Sequence, residues 1–156
     1  MQNPAHDYSQ LLHARNEFLA RGVVENGGVS EEIERSWRRC VENGMEVGAQ
    51  VRTEILTRQE LLVKQEANQL LLSQARPEME SLNEQISHTR SVIVLTDAQG
   101  FILHSQGNSE FLDDAQRVAL IPGSSWQESL RGTNAIGTAL IERSAMTVQG
   151  AEHFLE

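Results

Sequence analysis

Gly132-Thr133-Asn134-Ala135-Ile136-Gly137-Thr138-Ala139-Leu140 is the stretch on which the reading of this chain turns. Its two glycines have the spacing of a phosphate-binding loop. Such a loop places lysine directly after the second glycine to reach the terminal phosphates, and here that position is Thr138. Nucleotide hydrolysis is therefore disfavoured. What remains is a helix start capped by Thr133 or Asn134, with the helix running to about Arg143. Free N–H groups at such a start can receive a carboxylate, a phosphate or another ligand oxygen. Plain capping satisfies the same groups, and spacing alone favours it.

Downstream, Ala145-Met146-Thr147-Val148 reads as a further strand before Gly150. Upstream, a short helix from Phe111 to Leu120 is stopped by Pro122-Gly123. Before it, the β-rich runs Ser91–Thr96 and Phe101–His104 flank Asp97-Ala98-Gln99-Gly100, the pattern of a hairpin with Gly100 free to take positive φ.

Residues 57–90 read as a long helix, opened by the capping-box signature Thr57-Arg58-Gln59-Glu60. Leu61, Asn68, Ala75 and Leu82 are spaced by seven, and so are Leu72, Met79 and Ile86. This heptad-like seam runs through Pro77 as though the helix were kinked or restarted there. It suits a dimer, and it equally suits a helix face packed on its own domain. Gln65 and Asn68 on the seam weaken a purely buried reading.

The first 50 residues read as two short helices joined by a loop at Glu25-Asn26-Gly27-Gly28. Tyr8, Leu11, Leu12, Arg15, Phe18 and Leu19 follow helical spacing up to Gly22. Ser30 caps the second helix, Glu31 and Glu32 suit its positive end, and Gly44 closes it. Its apolar face is Ile33, Trp37, Cys40 and Val41.

Composition narrows the function classes. Thirteen basic against 22 acidic residues give a net charge of -9, and the densest basic cluster (Arg35, Arg38, Arg39) sits beside Glu31, Glu32 and Glu34. Direct nucleic-acid binding by this chain is not expected. Lys64 is the single lysine, which reads as compositional bias rather than function. No apolar run approaches the length of a membrane span, no signal peptide is evident, and one cysteine permits no internal disulfide. These features favour the cytoplasm.

Candidate chemistry is sparse. The five histidines, His6, His13, His88, His104 and His153, form no His-x-x-x-His pair and none neighbours Cys40. No catalytic residue, metal ligand or cofactor is expected. Glu128 and Glu152 differ from the other carboxylates, because Trp126, His153 and Phe154 beside them could line a pocket. Cys40 reads as a buried, inert thiol, although Arg39 could lower its pKa and leave a redox role open.

Ile33-Glu34-Arg35-Ser36-Trp37-Arg38-Arg39-Cys40 with Gly44 resembles the opening motif of bacterial enhancer-binding regulators of the acetoin and glycerol metabolism type. Trp126-Gln127-Glu128, the Gly132–Leu140 run and Gly150-Ala151-Glu152-His153-Phe154 resemble, in order and spacing, their sensory GAF domain, as does the Leu95–Gly100 hairpin. The resemblance covers the chain from about residue 10 onward. It implies a sensor that binds a small effector or a partner protein and controls an AAA+ ATPase acting on sigma-54 polymerase and a helix-turn-helix domain, neither present here. It also implies a GAF domain cut short at Glu156.

The expectation is thus an α+β chain, not an enzyme. It has an N-terminal helical region (1–56), a long linking or dimerisation helix (57–90) and the front half of a GAF-like antiparallel sheet with flanking helices (91–156). Expected ligand contacts are Trp126, Glu128, Thr133, Asn134 and His153. Trp126 would be an apolar wall, and Thr133 and Asn134 a polar helix start. The expected assembly is a homodimer. The rival reading is a dimerisation arm carrying a GAF remnant that binds nothing.

Overall fold

A computed structural model describes residues 4–24, 28–107 and 109–155. Residues 25–27 of the loop expected at 25–28 lie outside them. The fold is α+β. Helices α1 (Pro4–Arg21), α2 (Glu31–Glu42), α3 (Arg58–Ala67) and α4 (Gln69–Gln85) precede a hairpin of β1 (Val92–Thr96) and β2 (Ile102–Gly107). Then follow α5 (Ser109–Arg117), α6 (Glu128–Arg131), α7 (Ala135–Glu142) and a 3-10 turn (Gly150–Glu152).

The chain forms two compact units, and these do not follow the linear division at residues 56 and 90. Met1–Arg52 and Gln127–Glu156 make the first unit, and Thr53–Trp126 makes the second. The physical reason lies in the core. Ala14 and Phe18 of α1, Ile33, Trp37 and Cys40 of α2, and Phe154 and Leu155 are buried in one cluster, which closes early residues on late ones. The rings of Phe18 and Trp37 tilt against each other at 5.5 Å. Ser30 caps α2 by accepting the N–H of Ile33. Its buried face is Ile33, Ser36, Trp37 and Cys40, the i, i+3, i+4, i+7 set, and Ser36 takes the place expected for Val41, which is 47% exposed. Residues 145–148 are not a strand. Among the described residues no backbone pairs with them, and Met146 and Val148 instead pack on the apolar cluster.

In the second unit the capping box at Thr57 is present, with Glu60 returning a bond to the Thr57 N–H at 2.7 Å. The helix expected over 57–90 is two helices, broken at Asn68 rather than at Pro77, which sits inside α4. The Asn68 side chain donates to the Lys64 carbonyl at 2.8 Å and so occupies a backbone acceptor where the first helix ends. Leu72 and Met79 of the seam are buried within this unit, where α4 packs on β2, while Leu82 is 45% exposed. The hairpin is antiparallel with a bulge between Leu95 and Thr96. Gly100 has φ +84° in the turn. Beyond β2, Ile102 exchanges backbone bonds with Gly123 and Ser124, and these in turn bridge to residues 54–56.

Candidate functional site

In the first unit the two motif stretches meet side chain to side chain. Glu128, at the start of one-turn α6, is 3% exposed. Its carboxylate accepts from Arg39 Nε at 2.7 Å and Nη2 at 3.0 Å, a paired contact that fits the guanidinium fork. It also accepts from the hydroxyls of Ser36 at 2.6 Å and Thr138 at 2.7 Å. With the Ser36 proton committed to Glu128, the Thr133 hydroxyl, 2.7 Å away, is the donor to Ser36. Arg39 also reaches Glu142 at the end of α7 at 2.8 Å, and Arg35, one turn earlier on α2, reaches its other oxygen at 2.7 Å. One helix thereby grips both ends of the segment 128–142.

Burial pushes the Glu128 carboxyl up, and the hydrogen bonds from Arg39, Ser36 and Thr138 outweigh that and hold it below the ordinary carboxylate value. The bond to Glu128 likewise keeps Arg39 more firmly protonated than a free guanidinium. Three donors converge on Oε2 and one on Oε1. Such a group locks the helices together.

The neighbouring positions are similarly occupied. Asn134 caps α7, accepting from the N–H groups of Ile136 at 3.0 Å and Gly137 at 2.8 Å and donating to the Gly132 carbonyl. Gly132 has φ +68°, and a Cβ there would lie 3.2 Å from Phe154 Cβ. The His153 ring contacts the Thr133 carbonyl through Nδ1 at 3.1 Å. Arg15 donates to the His153 carbonyl, and the Trp37 indole to that of Glu152. Glu128, Thr133, Asn134 and His153 are thus in one unit. Trp126 ends the other, where its indole N–H donates to the Ala119 carbonyl at 3.0 Å.

Cys40 is buried, with Sγ 3.7 Å from the Thr133 hydroxyl, and burial pushes its thiol up to about 11. That opposes the thiolate a redox role requires. Among the described residues no group of His, Cys, Asp and Glu could hold a metal ion. Nor, among the described residues, is any helix long and apolar enough to cross a membrane.

Three residues that sequence reasoning left out, Ser36, Arg39 and Thr138, carry most of this network. Their signal was present in part: Ser36 and Arg39 fall at i, i+3 on the buried side of an amphipathic helix. A fourth is Lys64. It pairs with the buried Asp97 carboxylate at 2.6 Å, and its ammonium lies 4.4 Å from the Phe101 ring centroid. Compositional bias does not account for it.

Residues 8–156 match the family described as MimR, N-terminal domain. The chain belongs to that family. Within the MimR N-terminal domain family, the two interlocked stretches are those on which the resemblance to acetoin-type regulators was drawn. The chain is 36% identical over 123 residues to the acetoin catabolism regulatory protein of Cupriavidus necator, covering 78% of this chain and 18% of that protein. It is 29% identical over 143 residues to the acetoin dehydrogenase operon transcriptional activator AcoR of Bacillus subtilis, covering 92% and 24%. The propane 2-monooxygenase operon transcriptional activator MimR of Mycolicibacterium goodii is 30% identical over 158 aligned positions, covering 99% and 26%. The chain spans about a fifth to a quarter of the length of these relatives. The fold is similar to that of a chain in the crystal structure of the E. coli DhaR(N)-DhaL complex, with TM-score 0.73 and 21% identity over 81% of this chain and 42% of that one. These three relatives are named as transcriptional regulators.

Proposed function

We propose that this chain is the signal-receiving region of a longer cytoplasmic transcriptional activator. In this reading, an effector or a partner protein engages it and thereby governs an AAA+ ATPase and a helix-turn-helix domain elsewhere in the polypeptide. The observation that carries the reading is the family match over residues 8–156, with relatives named as operon activators. The Arg39–Glu128 lock suits such a role. It couples α2 rigidly to α6 and α7, so a displacement at one is felt at the others. Glu128, Thr133, Asn134 and His153 would then act mainly by holding this frame, with Trp126 fixing the end of the other unit.

A partner protein as the signal has its own support, because the structural neighbour was crystallised as a complex of two proteins. Self-association is a further part of the proposal. Leu62, Val63, Leu70, Leu71 and Leu82 on α3 and α4 are exposed apolar side chains of the kind a second copy covers.

The test uses the full-length regulator and a reporter gene. Removing residues 1–156 should abolish the difference between induced and uninduced expression, leaving the reporter either constantly on or constantly off. A reporter that still responds fully overturns the reading.

A further inference from the structure

A half-open cavity of about 270 Å³ lies in the first unit, between the loop that follows α2 and the short helix α6. Met45, Ala49, Leu130 and Leu155 give it apolar walls, and Asn43, Glu46, Gln50, Arg52 and Ser129 line the remainder. The loop is held by backbone bonds, Met45 N–H to the Cys40 carbonyl and Ala49 N–H to the Glu46 carbonyl, both 3.0 Å. The wall is therefore formed before any ligand arrives.

The polar side chains of this cavity differ from those of the lock. None of the five side chains makes a hydrogen bond or ion pair to another described residue. Glu46 and Arg52 both line the cavity, carry opposite charges and do not pair with each other. Solvated surface charge explains either one singly. A carboxylate and a guanidinium left unpaired around a shared cavity that apolar side chains also line complement a molecule that carries both charges itself.

We propose that this cavity binds a small zwitterion with a short apolar side chain, the chemistry of an aliphatic α-amino acid. Arg52 receives its carboxylate, Glu46 its ammonium group, and Met45, Leu130 and Leu155 its alkyl part. The volume equals about nine waters at about 30 Å³ each, room for a molecule of roughly nine non-hydrogen atoms. The inference rests on the sensing role proposed above and names the ligand class for it.

The probe is L-leucine, which is of that size, titrated into the 15N-labelled chain. Saturable shifts are expected at the amides of Gly44, Glu46, Ala49 and Ser129. The analogues 4-methylpentanoate and 3-methylbutylamine, each with one of the two charges, should bind at least about tenfold more weakly. Glu46→Gln should weaken L-leucine about tenfold and leave 4-methylpentanoate unchanged, and Arg52→Gln should spare 3-methylbutylamine instead. Both side chains are exposed and unbonded, so the remainder of the spectrum should not move. No saturable response to L-leucine, equal response to all three compounds, or shifts confined to other residues overturns the proposal. Any of these leaves the reporter experiment free to decide the sensing role independently.

Discussion

Each unit buries one carboxylate to 3% exposure, and the two are satisfied in opposite ways. Asp97 draws on its own turn. Its Oδ1 accepts the N–H groups of Gln99 at 3.0 Å and Phe101 at 2.9 Å, and Lys64 adds a single ammonium to Oδ2. Glu128 draws only on side chains, those of Ser36 and Arg39 about ninety positions away and Thr138 ten positions on. The first arrangement is mostly local and forms with its hairpin. The second exists only when distant helices have docked, so its loss should cost the whole unit.

The largest effect should come from Glu128→Ala. It takes one of two carboxylate partners from a partly buried guanidinium, which keeps Glu142, and the acceptor from two buried hydroxyls, so the cost should be about 3 kcal/mol, the low end for a broken buried pair. Each unit contains one tryptophan, so 5-fluorotryptophan supplies a separate 19F signal for Trp37 and Trp126 during urea unfolding. The Trp37 transition should fall to lower urea. A cost below about 1 kcal/mol would break the contrast between the two carboxylates.

Acid offers a second cut. Glu128 is depressed when folded, by hydrogen bonds that outweigh its burial, and Glu142 is depressed too, chiefly by Arg35. In the unfolded chain both return to about 4.3. Their contribution is therefore complete above that value and lost as pH falls through it towards the folded value. The Trp37 midpoint should drop between about pH 5 and pH 3, and Glu128→Gln should flatten that drop. An unchanged slope would show that Glu128 is not the titrating group.

Lys64→Met keeps the stem that lies over Phe101 and removes the charge. The turn still supplies two N–H donors to Asp97, so the cost should be about 1–2 kcal/mol, read at Trp126. Thr57→Ala, which deletes the exposed cap of α3, should cost about 1 kcal/mol at the same reporter. A Lys64→Met effect as large as that of Glu128→Ala would mean that locality does not set the penalty.

The same contrast explains what was legible in the sequence. The Asp97–Gly100 hairpin, the Ser30 and Thr57 caps and the capped helix after Asn134 are written in neighbouring residues, and the structure has them all. Glu128 could be picked out but not its partners, because nothing local to Ser36 or Arg39 says that residues 128–142 will face them. The break at Asn68 was not legible because it rests on the backbone of one residue, at φ -110°, inside an otherwise helical pattern. The strand expected at 145–148 shows the reverse error. Alternating burial of Met146 and Val148 imitates a strand wherever a chain merely lies along a core.

The first unit is made of two stretches separated by all of the second. On the ribosome this imposes an order. The hairpin unit can complete itself while α2 is still waiting for its counterpart, since the Trp37 indole and the Glu152 carbonyl it donates to stand 115 positions apart. At bacterial elongation rates that wait is on the order of ten seconds. Throughout it the nascent chain has only α1 to cover Ile33, Trp37 and Cys40, leaving a surface for chaperones to shield before residues 127–156 can claim it.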